Sequence, residues 1–399
     1  REAHGSPFSA DVISATKGLL GLLDEPFAVD PSLPIDMPGT LVQQKTALDA
    51  WRARMSTAPD RAVRLTNQLE TRGAATIEQA AEPFESGSVA TRKAMQRATD
   101  VYGPQTPGLT TGSADLTDNT GVLLPNAIPQ SSSHPDGRQV YYGVREFAMG
   151  AIMVGQALHG GVRPVGSTFF VFSDYVRPAI RLAALSHASV LFVFTHDSIG
   201  VGEDGPTHQP IEHLAALRAM PRLHVVRPSD ANETLRFVAD FLSQSHPPAT
   251  ALVLSRQDVP VLTGVEAAAS VRDGHRGGYV VREEADAQLT LMATGSEVSL
   301  ALNAADLLGA GGVRARVVAL PCWRCFEMQP ADYRNSVLAK GRIPSLAVEA
   351  GSPFGWERYA DDVVGIDDFG VSAPGSQVFA HFGITAENVA RYVNERIAR

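Results

Sequence analysis

The chain has 399 residues, 44% of them hydrophobic and 19% charged, and 34 basic side chains against 43 acidic ones leave a net charge of −9. That length corresponds to two or three domains of roughly 150 residues, and the composition excludes a disordered chain. An acidic surface argues against nucleic-acid or anionic-membrane partners, leaving only local basic pockets for small phosphates; no apolar run reaches the ~18–20 residues of a membrane span.

Residues 1–87 read as an irregular linker. Prolines at 26, 31, 34 and 38 break any long helix, and modest helices are expected over Leu41–Met55 and Asp60–Arg72. The chain starts at Arg1 and not at methionine, so either a removed tag or a missing larger N-terminal piece is expected. From Ser88 the pattern alternates. Val89–Tyr102 predicts a helix ended by Gly103-Pro104, and Arg145–His159 a helix stopped by Gly160-Gly161. Ile180–Leu185 and Pro210–Met220 are also helical, and Ser229-Asp230 caps a helix running toward Leu242. Between them, Val190–Phe194, Leu223–Val226 and Ala251–Ser255 are apolar runs of strand length. Strands separated by amphipathic helices imply a parallel sheet covered on both faces.

A break of small and charged residues over Gly264–Gly278 separates this domain, 88–264, from a last one, 265–399. There, strands are expected at Leu289–Ala293, Arg316–Leu320, Ser345–Val348 and Val363–Ile366, with Thr294-Gly-Ser-Glu297 opening a helix. The predicted fold class is α/β: two parallel- or mixed-sheet domains behind a linker.

The richest segment is Thr195–His208, with two histidines, three acids and three glycines in 14 residues directly after an apolar strand. The carboxyl edge of an open α/β sheet is where ligands bind, glycines admit close backbone approach, and histidines donate to anionic or hydroxyl groups near neutral pH. A turn-rich connector with solvated charges is the plain alternative. Gly200-x-Gly202-x-x-Gly205 matches the dinucleotide spacing only weakly, since His196–Ile199 intervene after the strand and Pro206 follows.

In Tyr141–Met149, Glu146 stands where a loop meets an apolar helix. It is either a carboxylate favouring a helix N-terminus or an acid in an apolar wall suited to proton transfer. Phe169, Phe172 and Tyr175 are three apart, which on a helix gives one face: core, or an aromatic wall for a flat heterocycle. The two cysteines exclude a disulfide scaffold and point to a reducing compartment, the cytoplasm. Cys322-Trp-Arg-Cys325 has redox spacing, but no other cysteine completes a zinc site. The phosphate loop of nucleotide hydrolases and the His-Glu-x-x-His metalloprotease motif do not occur.

Gly112-Ser-Ala-Asp-Leu116, Gly143-Val-Arg-Glu-Phe147, Thr195-His-Asp-Ser-Ile-Gly200, Gly205-Pro-Thr-His-Gln-Pro210 and Leu254-Ser-Arg-Gln257, in that order, resemble transketolases over essentially the whole chain. The resemblance is to the linker, the pyrimidine-binding domain and the C-terminal domain. It implies transfer of a two-carbon ketol unit between sugar phosphates of the xylulose 5-phosphate and ribose 5-phosphate class, in the pentose phosphate pathway. It also implies thiamine diphosphate with magnesium or calcium, and a homodimer whose active sites are shared between subunits.

Residue by residue, the resemblance makes Glu146 the acid that engages the aminopyrimidine and His208 a donor to the developing alkoxide; these two are the expected catalytic groups. Asp115 and Leu116 lie beside the cofactor, Phe169, Phe172 and Tyr175 form its aromatic pocket, and His4 serves cofactor and substrate. Arg92, His196 and Arg256 hold the sugar phosphate as three local cations, Asp204 reads a hydroxyl, and Asn119 stands where the family often has a phosphate-contacting serine. The family's Gly-Asp-Gly stretch, which holds diphosphate and metal, does not occur in these residues. No metal ligand is therefore expected here, and the chain alone is expected to be inactive. Dihydroxyacetone synthase and deoxyxylulose phosphate synthase use the same cofactor and stay open as alternatives, as does a non-catalytic dimerisation fragment or half of a split enzyme.

Overall fold

In the computed structural model, residues 7–28, 38–70 and 73–396 are described. The chain forms two compact units, Arg1–Leu65 and Thr66–Arg399. The first contains the helices Ala10–Leu19 and Pro38–Thr57. Ser9 caps the former by accepting from Val12 N–H, and Lys17 ties its end to the carbonyls of Asp24 and Glu25 at 2.9 and 3.1 Å.

Among its described residues, the second unit holds thirteen strands: β1 (Ser88–Val89), β2 (Leu109–Ser113), β3 (Gln139–Tyr141), β4 (Arg163–Phe169), β5 (Leu191–Thr195), β6 (His224–Val226), β7 (Thr250–Leu254), β8 (Val259–Pro260), β9 (Tyr279–Arg282), β10 (Leu289–Ala293), β11 (Ala315–Ala319), β12 (Ser345–Val348) and β13 (Asp362–Val364). Six make an all-parallel sheet in the order β3-β2-β4-β5-β7-β6. Its central strands are buried on both faces because alternate residues serve opposite cores. Phe192, Phe194, Ala251 and Val253 face Met149, Met153 and Ile180 of the helices Glu146–His159 and Ser173–Leu185. Leu191, Val193, Leu252 and Leu254 face Ala94, Met95, Leu235 and Val238 of the helices Thr91–Gln105 and Ala231–Ser243. Each large side chain so buried contributes about 1.5–3 kcal/mol.

A second sheet, β13-β12-β10-β11-β9, is parallel except for its antiparallel edge β9. The helices Glu297–Ala310 and Ala386–Arg396 contribute Val298, Ala301, Val389 and Val393 to one core, and Trp323, Phe326, Trp356 and Tyr359 build another. The α/β class is as expected.

Local expectations needed correction. Residues 264–278 are not an open break but a helix, Gly264–Asp273, followed by a 3₁₀ turn; Glu266-Ala-Ala-Ala269 has the propensity for it. The helix at Thr91 runs through Gly103-Pro104 to Gln105, so the proline sits in its last turn instead of ending it. Phe169, Phe172 and Tyr175 do not share one helix: Phe169 ends β4, Phe170–Phe172 is a 3₁₀ turn, and Tyr175 lies in the next helix. Because a 3₁₀ turn eclipses residues three apart, Phe169 and Phe172 still stack, 6.2 Å between ring centroids.

Candidate functional site

Since all six strands of the first sheet are parallel, their carboxyl ends share one edge. Asp115 follows β2, Glu146 follows β3, Phe169 ends β4, His196 follows β5 and Arg256 follows β7. A short antiparallel pair, β1 with β8, then folds the start of the Thr91 helix onto the end of β7. Thr91 N–H donates to Ser255 Oγ at 3.0 Å, Ser255 N–H donates to Thr91 Oγ1 at 2.7 Å, and Ala90 N–H donates to Asp258 at 3.0 Å. This lock brings Arg92 beside Arg256, far away in sequence. Arg92 in turn donates to the Asn119 carbonyl at 3.0 Å.

His196 is buried, in the left-handed region at φ 63°, with Nδ1 2.9 Å from Thr195 Oγ1. Burial, Arg92, Arg256 and His208 push its ionisation down to about 3. It is therefore neutral at physiological pH, which corrects the expectation of three cations: the charge comes from Arg92 and Arg256. Burial and Arg256 also push the Arg92 guanidinium down, the signature of two like charges held together.

The aromatic residues meet this cluster. Phe169 lies 3.7 Å from the His196 ring and 6.4 Å from His208; Phe172 lies 5.6 Å from His208 and 6.2 Å from Tyr175. Six of the expected site residues, Arg92, Phe169, Phe172, His196, His208 and Arg256, thus form one group, with Asn119 and Tyr175 at its margins.

Glu146 begins its helix and is 8% exposed, yet no described residue donates a hydrogen bond to its carboxylate. An unpaired acid in that position fits a ring nitrogen donor supplied from outside the described residues. The surrounding wall is less dry than expected, because Val144 and Phe147 are 76% and 53% exposed and only Met149 is buried. Asp115, in a left-handed turn at φ 66°, and Asp204 are exposed, and Leu116 is half-buried. No hydrogen bond or ring contact ties these three or Glu146 to the histidine–arginine group. His4 lies outside the described residues.

Sequence reasoning missed a buried charge network behind the site. Arg227, directly after β6, contacts Asp197 at 2.8 Å and also Glu297. Arg218 grips Glu349 with two bonds of 2.6 and 2.8 Å, and Trp356 Nε1–H donates to Glu349 at 2.8 Å. Burial alone would push Arg227 down, but Glu297 and Asp197 override it and push it up. Asp197 is the neighbour of His196, so this network fixes the backbone that presents the imidazole. Further along the same loop, Gln209 donates to the Gly202 and Val371 carbonyls at 2.7 and 2.9 Å. The signal available in the sequence was Asp197 itself, an acid in the first turn after an apolar strand.

Two family models match the chain: the transketolase pyrimidine-binding domain over residues 87–261 and the transketolase-like C-terminal domain over 277–385. This chain belongs to the transketolase family. A transketolase of Geobacillus stearothermophilus is 42% identical over 403 residues, covering 97% of this chain and 60% of the relative. The structure of a Pichia stipitis transketolase in complex with sedoheptulose 7-phosphate is 36% identical with a TM-score of 0.85, covering 99% of this chain and 60% of that one. A split-gene transketolase, solved as an inactive β4 tetramer, is 26% identical with a TM-score of 0.61, covering 78% of this chain and 99% of that one. The chain thus spans about three-fifths of the first two. Among the described residues, no helix is long and apolar enough to cross a membrane.

Proposed function

We propose that this chain is the linker (1–87), pyrimidine-binding domain (88–264) and C-terminal domain (265–399) of a transketolase that moves a two-carbon ketol unit from a ketose phosphate to an aldose phosphate. The observation that carries the reading is the Arg92–Arg256 pair flanking a buried neutral His196 and the Phe169–Phe172 stack at one sheet edge. Two guanidinium forks suit a phosphate dianion, and the neutral imidazole adds a hydrogen bond without repelling them. Asn119, through the carbonyl that positions Arg92, belongs to the same phosphate end.

Thiamine diphosphate, when bound, supplies the nucleophilic carbon and electron sink that carbon–carbon cleavage requires; its diphosphate and its magnesium or calcium would be held by a domain outside these residues. Within this chain, Glu146 holds a proton between its carboxylate and the aminopyrimidine, Phe169, Phe172 and Tyr175 wall that ring, and Asp115 and Leu116 border it. His208 donates to the oxygen that gains charge as the carbonyl is attacked. Asp204 reads a sugar hydroxyl, and His4 serves both ligands. We assign the active form to a homodimer, because the exposed apolar Tyr141, Val144, Phe147 and Tyr175 flank the buried acid and such rims need a cover. Two free thiols suit the reducing cytoplasm.

The test is a coupled ketol-transfer assay on the full-length protein. Glu146→Ala should lose about 10²–10⁴-fold in turnover, the range for a positioned proton-transfer group, whereas Arg256→Ala should mainly raise KM for the ketose phosphate. Wild-type turnover in Glu146→Ala would refute the role given to that acid. The similarity in extent to the split-gene chain favours one second reading, in which this chain works with a separately encoded diphosphate-binding chain. Under that reading the chain alone binds no thiamine diphosphate by calorimetry and gains binding when the partner chain is added.

A further inference from the structure

The spacing Cys322-Trp-Arg-Cys325 leaves two thiols without a third donor in the sequence. The fold supplies one from about a hundred residues away. His224 opens β6 at the edge of the first sheet, and its Nδ1 lies 3.2 Å from Cys325 Sγ. Cys322 Sγ accepts from Cys325 N–H at 3.4 Å, which holds both thiols on the same side of the turn. One ligand atom from each of the three residues lies within 4.8 Å of the other two.

We propose that His224, Cys322 and Cys325 form a binding site for a soft divalent cation of zinc's class. Bonds of about 2.3 Å to sulfur and 2.0–2.1 Å to nitrogen in a tetrahedron put neighbouring donors roughly 3.5–3.8 Å apart, so the existing separations need adjustments of an ångström or less. Binding releases one proton from each thiol; a dication with two thiolates and a neutral imidazole carries no net charge. That neutrality matters, because Arg218 acts on Cys322 and Arg324 on His224, and an uncompensated cation would be repelled. The donor set contains no oxygen, which disfavours calcium and magnesium.

Three protein donors leave a fourth position. His224 and Cys325 both border a cavity of about 380 Å³, walled by Leu191, Phe241 and Leu252 and including His275, which admits water to that position. The donors come from the two sheets, His224 from β6 and the cysteines from the segment after β11. Backbone bonds already cross there, Arg227 N–H to the Pro321 carbonyl at 2.8 Å and Gly295 N–H to the Arg227 carbonyl at 3.1 Å. The ion would therefore staple the sheets together. No hydrogen bond or ring contact ties its three donors to the Arg92–His196 group, and it takes no part in ketol transfer.

The experiment uses reduced, metal-stripped full-length protein titrated with Co²⁺ and then Zn²⁺. Wild type should develop an intense near-ultraviolet thiolate-to-cobalt band, bind one ion per chain more than Cys325→Ser does, release the cobalt to zinc, and gain thermal stability on loading. Cys325→Ser, a half-buried and conservative change, should lose the band; His224→Ala should weaken binding at least about tenfold, as loss of a ligand shell member does. Circular dichroism identical to wild type qualifies each variant. No thiolate band in wild type, or equal cobalt uptake by wild type and Cys325→Ser, overturns the proposal, as does a pair of thiols that forms a disulfide on isolation and binds no cobalt once reduced.

Discussion

Replacing Arg227 by methionine tests whether the charge network behind the site is as tightly balanced as its geometry implies. The side chain is 1% exposed and touches Asp197 and Glu297, which are also buried. Arg227→Met keeps much of the volume but strands both carboxylates, since Arg218 is already committed to Glu349. At an effective dielectric near 20, one charge pair ~4 Å apart is worth about 4 kcal/mol, and breaking a buried pair typically costs about 3–5 kcal/mol. Losing both contacts does not double this, because the two acids share one guanidinium and contacts within one network are not additive. We expect about 4 kcal/mol at pH 7, or roughly 8–16 °C in Tm at ~2–4 °C per kcal/mol. The double variant Arg227→Met/Glu297→Gln should recover about half, because only one buried charge then lacks a partner. Urea unfolding followed by circular dichroism at pH 7 measures both quantities. A deficit below about 1 kcal/mol, or one that Glu297→Gln leaves unchanged, would refute the argument.

Two further predictions rest on single groups. Burial pushes the Glu349 carboxyl up, but Arg218, Arg227 and Thr294 override this and hold it down to about 2. Its contribution to stability is therefore fully present above the unfolded value near 4.5 and is lost as pH falls from there toward 2; Glu349→Gln should flatten that limb of a stability–pH curve while lowering stability at pH 7. His196, held down to about 3 by burial first and then by Arg92, Arg256 and His208, should show no imidazole titration by NMR between pH 5 and 8. A transition near 6.5 would mean that the arginines are not where the fold puts them.

What was legible in the sequence follows from how local each signal is. The strands Leu289–Ala293 and Ser345–Val348 were legible because a buried central strand is a continuous apolar run. The Thr195–His208 loop was legible because its composition is unusual for a connector. By contrast, β2 reads Leu-Thr-Thr-Gly-Ser, too polar to announce itself. Its Gly112 matters through space: a Cβ there would come within 2.4 Å of the Val140 carbonyl and 2.5 Å of the Tyr142 ring. The pairing of β1 with β8 joins residues about 170 apart in sequence, so nothing in the neighbourhood of Arg92 foretells its meeting with Arg256. The same holds for Arg227, whose partners lie 30 and 70 residues away.

The charge network gives the second sheet a physical part in the site that its own residues do not advertise. The His196–Gln209 loop is held from behind at three points. Arg227 binds Asp197 on one side and Glu297 on the other, Ser372 Oγ donates to the Glu203 carbonyl at 2.5 Å, and Gln209 donates to the Val371 carbonyl at 2.9 Å. Glycines 202 and 205, at φ 84° and 75°, let the loop lie close against this segment. A loop of two histidines and three acids would otherwise be mobile, and a misplacement of about 1 Å can cost some two orders of magnitude in rate. The anchors on Glu297, Val371 and Ser372 therefore preorganise His196 and His208 from a sheet that contributes no side chain to the histidine–arginine group. Substitutions in that sheet should change turnover without altering the identity of any group that touches the substrate.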